Sequence, residues 1–293
     1  MKSKDVFFLL RPQQYIKNLF VLAPVFFSGM LTDFELLQQS ILTFILFSLT
    51  ASAVYILNDI RDIDEDKAHP KKLNRPIANG SVSVPFAWKM LCFLIVISLV
   101  GSYLISIQLA YILLSYLILN ISYSFGLKHY PILDISMISV GFVLRILAGS
   151  IVIEESPSMW IILMTFLLAL FIALAKRRDD VLLASSGFKI RKNIEGYNLE
   201  CVNAAMIVMA SVVIVAYIFY TISQPINTGL AGNYLYMTVF FVIIGIIRYL
   251  QIIFVENNSG SPTEIVLKDR FLQVNIILWA ITFGLLIYGG KIM

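Results

Sequence analysis

Charge is scarce in this 293-residue chain. Only 14% of its residues are charged, 59% are hydrophobic, and mean hydropathy is +0.86. Soluble domains carry roughly 25% charged residues, so this composition excludes an ordinary soluble fold. Cysteine is equally sparse. Cys92 lies in an apolar run and Cys201 in an expected loop, which leaves neither a disulfide framework nor a zinc pattern. Two histidines, His69 and His129, give no triad pattern. Glycine loops of the Walker type, Ser or Cys nucleophile motifs and nucleic-acid-binding modules are missing too, so nucleic acid is not an expected partner. No short-segment alternation marks a transmembrane β-barrel.

Long apolar runs are what the chain has. They define an all-α polytopic membrane protein with nine candidate spans, at 15–31, 40–57, 88–106, 108–123, 134–153, 158–175, 203–222, 234–254 and 272–290. Polar segments at 58–87, 123–133, 176–202 and 255–271 separate them. The N-terminal apolar run lacks a small-residue cleavage site and reads as a retained helix. Of the 22 basic residues, Arg145 and Arg248 fall inside spans and Lys291 near the C-terminus. With nine alternating spans, every other basic residue lies on one side, and Asp33, Glu35, Glu154 and Glu155 lie on the other. That asymmetry places the N-terminus and the long polar loops in the cytoplasm. No repeat or second soluble domain is visible, so residues 1–293 read as one transmembrane domain in the cell (inner) membrane.

The most informative residues follow the second span. Asn58, Asp59, Asp62 and Asp66 are spaced so that, at about 100° per residue, they share an arc of about 100° on a helix. Clustered carboxylates repel one another unless a cation sits among them. Oxygen-only ligands point to Mg²⁺ or Ca²⁺, and magnesium held by a few carboxylates commonly keeps room for substrate phosphates. Lys71, Lys72 and Arg75 follow within ten residues, which suits a metal–diphosphate complex. His69, in the same loop, is a candidate phosphate contact.

Further cations punctuate the same side of the chain. Tyr123 and Lys128 sit in Tyr123-Ser124-Phe125-Gly126-Leu127-Lys128-His129, ahead of Asp134. Lys176, Arg177 and Arg178 close the sixth span, and Lys17 with Asn18 opens the first. Each is either a topology anchor or a phosphate contact. Arg145, deep in a span, requires either a partner or a polar cavity.

Asn58-Asp59-x-x-Asp62-x-x-x-Asp66 resembles the signature of the UbiA superfamily of intramembrane prenyltransferases. The resemblance implies nine helices around a central cavity with a cytoplasmic polar cap. It tightens on the phosphoribosyltransferase branch of that superfamily through several motifs. These are Arg11-Pro12-x-Gln14-x-x-Lys17-Asn18, Asp66-x-x-His69-Pro70-x-Lys72-x-x-Arg75-Pro76-Ile77, Tyr123-Ser124-x-x-Leu127-Lys128-His129, Lys176-Arg177-Arg178 and Leu267-x-Asp269-Arg270-x-Leu272-Gln273. The branch moves a 5-phosphoribosyl group from phosphoribosyl diphosphate to a decaprenyl-like polyprenyl phosphate in cell-wall biogenesis. The resemblance therefore implies Mg²⁺ on Asn58, Asp59, Asp62 and Asp66. Asp59, Asp62, Asp66 and Lys128 become the expected catalytic residues. Lys17, Asn58, His69, Lys72, Arg75, Tyr123, Arg145, Lys176, Arg177 and Arg178 become substrate contacts. Where relatives using prenyl diphosphates carry a second acidic motif after helix six, this chain has Lys176-Arg177-Arg178-Asp179-Asp180, a cationic exchange suited to two more phosphates. An aromatic prenyltransferase using a prenyl diphosphate is the alternative, and a lipid or ion transporter the third reading. A homo-oligomer is compatible with all of them.

Overall fold

The computed structural model describes residues 3–68, 72–185, 196–223, 234–256 and 262–292. Among these, every regular element is helical. Eight helices are long and apolar enough to span a bilayer, so the protein is an integral membrane protein. The helices are α1 Ser3–Leu10, α2 Ala23–Phe27, α3 Phe34–Arg61, α4 Ile63–Ala68, α5 Val84–Ile105, α6 Ile107–Ser124, α7 Leu133–Val152, α8 Met159–Ser185, α9 Leu199–Ser223, α10 Val239–Phe254, α11 Pro262–Lys268 and α12 Arg270–Ile292.

Eight of the nine expected spans correspond to these long helices. The first, 15–31, does not. Its residues form a 3-10 stretch, Pro12–Val21, followed by the short α2. Arg11 enters it in the left-handed conformation (φ 53°), which breaks continuity with α1. Pro24 then has no N–H to continue the ladder into α2. Cys201, expected in a loop, lies in the first turn of α9.

Contacts group the chain into two compact units, residues 1–127 with 141–157, and 128–140 with 158–293. In the first, α3 is the helix most enclosed by protein, and Leu46, Phe47, Ala51, Val54, Leu113 and Tyr116 anchor its core. Asp33 caps α3 by accepting from the Glu35 and Leu36 N–H groups, both at 3.1 Å. Ser106 is a one-residue joint between α5 and α6 and accepts from Gln108 N–H at 3.2 Å. The outward faces of α5 and α6 carry exposed Phe93, Val96, Val100, Leu104 and Tyr111, as lipid contact requires. The second unit packs α8, α9, α10 and α12 around Phe171, Leu174, Met206, Tyr249 and Ile253.

Because lipid tails are as apolar as leucine, helix association here relies on close fit at small residues. Gly149 is the sharpest case, since a Cβ there would overlap the Val21 carbonyl and crowd Pro24. It seats the end of the 3-10 stretch on α7. Gly101 differs, because its Cβ would meet only the flexible Leu46 Cδ2, at 2.7 Å. Gly149→Ala should therefore destabilise the detergent-purified protein by about 1–3 kcal/mol and Gly101→Ala by distinctly less. Thermal unfolding of the two variants checks the order, and equal losses would remove this account.

Candidate active site

The acidic motif straddles a helix joint. α3 ends at Arg61, Asp62 caps it, and α4 resumes at Ile63. Hydrogen bonds from Asp62 N–H to Asn58 O (2.9 Å) and from Asp66 N–H to Asp62 O (2.8 Å) carry the helical ladder across the joint. Asp59 and Asp66 are each 1% exposed, whereas Asp62 and Asn58 are half-buried.

One arginine binds the two buried carboxylates together. Arg75 Nη1 donates to Asp59 Oδ1 at 3.0 Å and to Asp66 Oδ2 at 2.6 Å. Arg11 also pairs with Asp59 Oδ1, and its guanidinium lies 5.3 Å from the centre of the Tyr55 ring. The left-handed turn at Arg11 puts this cation at the head of the 3-10 stretch. Lys72 Nζ is 3.9 Å from Asp66 Oδ1, an ion pair too long for a hydrogen bond. Asp59 Oδ2 and Asp66 Oδ1 remain buried with no hydrogen-bond partner. Buried carboxylate oxygens in that condition are costly unless a cation completes them. Among the described residues, no three acidic, histidine or cysteine side chains converge closely enough to form a preformed metal cage. The donor set centres on two buried carboxylates, with half-buried Asn58 and Asp62 beside them in the motif. It still fits a hard cation that takes its remaining oxygens from water and phosphate.

Asn58 and Arg61 secure the end of α6. Ser124 Oγ contacts Asn58 Oδ1, while Arg61 Nη1 donates to Ser124 O at 2.5 Å and lies 4.0 Å from the Phe125 ring centre. Tyr123 precedes Ser124 and is half-buried. Deeper in the same unit, each guanidinium nitrogen of Arg145 (4% exposed) donates to a protein group. Nε donates to Asn18 Oδ1 at 2.9 Å, Nη1 to Gly141 O at 2.7 Å and Nη2 to Tyr116 OH at 3.2 Å. Phe47, Tyr116 and Phe142 rings surround the guanidinium at 4.9–5.1 Å. Asn18 in turn donates to Ser48 Oγ at 2.9 Å. The network ties the 3-10 stretch to α3, α6 and α7 and holds neighbouring Lys17, itself half-buried, in place.

In the second unit the consecutive cations of α8 diverge. Lys176 is exposed. Arg177 is 1% exposed, with Nε 2.7 Å from Asp134 Oδ2 and Nη1 paired with Asp180. Arg178 donates to Asn203 Oδ1 at 3.0 Å and to Ile253 O at 2.8 Å. Tyr197 completes the Asp134 site by donating to Asp134 Oδ1 (2.7 Å) and accepting from Ile132 N–H (2.7 Å). Burial pushes the Tyr197 phenol well above its ordinary value, so it stays a donor at neutral pH. Gly196 permits this docking, because a Cβ would overlap the Pro131 ring. Lys128 is half-buried in the short 3-10 turn Leu127–His129. His69 lies outside the described residues.

The C-terminal motif is a helix elbow. Asp269 accepts from Leu272 N–H at 2.8 Å and pairs with Arg248 at 2.7 Å. Gln273 Nε2 donates back to Leu267 O at 2.6 Å. The hydrogen bond from Arg248 holds the Asp269 carboxyl below the usual carboxylate range. Arg248 therefore has protein partners rather than merely reaching for water.

Sequence reasoning quoted Arg11 and Asp134 within motifs but gave neither a role. Ser124 likewise falls within a quoted motif without a role, whereas the positions of Tyr116 and Tyr197 carry no local pattern. Arg177 and Asp134 generate a stability prediction. Arg177→Met strands a buried carboxylate and should cost about 3–5 kcal/mol, with much of the loss recovered in Arg177→Met/Asp134→Leu. Thermal unfolding of the single and double variants measures this, and a double variant no better than the single would contradict it.

Comparisons with known proteins follow the same lines. The profile of the UbiA prenyltransferase family matches residues 21–268. Decaprenyl-phosphate phosphoribosyltransferase of Mycolicibacterium smegmatis is 35% identical over 291 residues, spanning 95% of this chain and 91% of that one. The protein of the same name from Corynebacterium glutamicum is 33% identical over 286 residues, spanning 95% and 85%. A solved UbiA homolog from Archaeoglobus fulgidus, bound to DMAPP and Mg²⁺, superposes with a TM-score of 0.72 at 18% identity, covering 96% of this chain and 98% of that one. That likeness concerns the fold. With its buried aspartates at the end of α3 and a family match across most of its length, the chain belongs to the UbiA prenyltransferase family.

Proposed function

We propose that this protein transfers the 5-phosphoribosyl group of phosphoribosyl diphosphate to a polyprenyl phosphate, releasing diphosphate, as a step in cell-wall polysaccharide precursor synthesis. The observation that carries this reading is the near full-length similarity to relatives named decaprenyl-phosphate phosphoribosyltransferase. The chemistry of the first unit supports it. Asp59 and Asp66 offer two buried, uncompleted carboxylate oxygens, and Arg11, Lys72 and Arg75 surround them with positive charge.

Asp59 and Asp66, with Asp62 and Asn58 at the joint, would hold Mg²⁺. When bound, that ion offsets the charge that accumulates on the departing diphosphate. In the protein alone, Arg11 and Arg75 pair with Asp59, and Arg75 also pairs with Asp66. Their planar donor forks suit phosphate oxygens equally well, so they serve as diphosphate clamps in the loaded one. Lys72 neutralises the same region, and His69 is a further candidate phosphate contact. Lys17, Lys128 and Lys176 are further phosphate contacts. Tyr123 donates a hydrogen bond to substrate. Arg145, Arg177 and Arg178, initially expected to touch substrate, act by positioning, since protein groups already engage their guanidiniums. The attacking oxygen belongs to a lipid phosphate that is ionised near neutral pH, so no strong general base is required. This explains how a chain with two histidines performs the reaction. The acidic end of α3 faces the cytoplasm, where the charge asymmetry of the loops puts it.

Purified protein given labelled phosphoribosyl diphosphate and a polyprenyl phosphate should form labelled lipid. Chelation should abolish the product, and Asp59→Asn should lower the rate by at least about 100-fold while Asp64→Asn changes it little. Geranyl diphosphate with an aromatic acceptor should give no turnover. Labelling that survives both chelation and Asp59→Asn would refute the metal-dependent reading. Turnover of the prenyl diphosphate alone would transfer the chain to the aromatic prenyltransferases.

A further inference from the structure

The first unit has a second polar site at the opposite end of its helices. A cavity of about 590 Å³ opens between the start of α3, the α5–α6 joint and the end of α7. Its polar lining is Gln39, Ser106, Gln108, Ser150, Glu154, Glu155 and Ser156. Gln39 and Asp59 lie twenty residues apart on α3, so the cavity is separated from the acidic site by about 30 Å of helix. It is not part of the diphosphate site.

Ser150 is the observation that points to a ligand in the cavity. The residue is 3% exposed, yet its Oγ has no hydrogen-bond partner. Ser40 and Thr43 of α3 share that condition away from the cavity, whereas the buried serines of neighbouring α5 avoid it by donating to a carbonyl in their own helix. Ser98 bonds Ile95 O at 3.1 Å and Ser102 bonds Leu99 O at 2.9 Å. Ser150 forgoes this solution and lines the cavity instead.

The lining fixes the chemistry of the occupant. Two carboxylates contribute negative charge, and among the described residues that line the cavity there is no Lys, Arg or His. A solely anionic group is therefore excluded. Aromatic rings are equally missing from the lining, so there is no cage for a quaternary ammonium. The lining supplies two acceptor-only carboxylates beside amide and hydroxyl oxygens that also accept. Three N–H donors on one compact charge match that set, which describes a primary ammonium. Ile112, Leu147 and Ile151 add apolar wall that would enclose methylenes and would be wasted on a hydrated metal ion. We propose that this cavity binds the primary ammonium group of an amine, presented either by an aminoethyl lipid headgroup or by a free alkylamine. Glu154 and Glu155 neutralise the charge, and Ser150 accepts one of its hydrogen bonds.

Native mass spectrometry and thermal unfolding of the purified protein in neutral detergent test the proposal. The probes are phosphatidylethanolamine, phosphatidylcholine with identical chains, butylamine and Ca²⁺. Phosphatidylethanolamine should be retained about tenfold better than phosphatidylcholine. That preference should vanish in Glu154→Gln/Glu155→Gln and weaken in Ser150→Ala. Protection by butylamine with no preference between the lipids would assign the site to free amines and uphold the ammonium chemistry. Equal retention of both lipids without a butylamine effect would overturn it. So would protection by Ca²⁺ alone, or a preference unchanged in either variant. If the double variant fails to fold, the Ser150→Ala result decides.

Discussion

Two buried carboxylates sharing one guanidinium nitrogen dominate the first unit. Asp59 and Asp66 sit where an isolated charge would be very costly, and Arg75 bridges them. That single contact fixes where α3 ends, how α4 continues and why the loop at 72–75 returns to the helix joint. Arg11 adds a second cation to Asp59, which in turn positions the start of the 3-10 stretch. The arrangement is satisfied on one side of each carboxylate and unsatisfied on the other. A fold designed only for stability would have closed both sides or used apolar residues. The incompleteness is what makes the cluster a candidate site.

Much of this was legible in the sequence because the bilayer imposes a strong constraint. Backbone groups must be satisfied within helices, so apolar length alone located eight of the long helices. The failure at 15–31 has a local cause: Pro24 removes an N–H, and Arg11 adopts a conformation that no periodicity reports. The acidic motif was equally legible, but its spacing on an ideal helix suggested four ligands on one face. The joint at Asp62 and the pull of Arg75 select Asp59 and Asp66 as the buried pair instead. Spacing says which residues can meet. It does not say which will be claimed by a neighbouring cation.

The same limit explains the arginines. Arg145, Arg177 and Arg178 stood out because intramembrane charge is expensive, and that expense has two solutions. Structure shows the protein-internal one: Arg145 between Asn18 and Tyr116, Arg177 on Asp134, and Arg178 on a backbone carbonyl. Gly141 and Asp180 are local partners, but Asn18, Tyr116, Asp134, Asn203 and Ile253 lie 25 to 127 residues away, beyond the reach of any local pattern. Arg177 and Arg178 sit on the helix that carries Lys176, and Arg145 holds the 3-10 stretch that carries Lys17.

The central claim is that Asp59 and Asp66 receive a divalent ion together with a diphosphate. Electron paramagnetic resonance of Mn²⁺ added to the purified protein with phosphoribosyl diphosphate tests it without relying on turnover. The account predicts protein-bound Mn²⁺ with phosphorus hyperfine coupling, lost in Asp59→Asn and in Asp66→Asn. Bound Mn²⁺ whose spectrum is identical in both variants would contradict it.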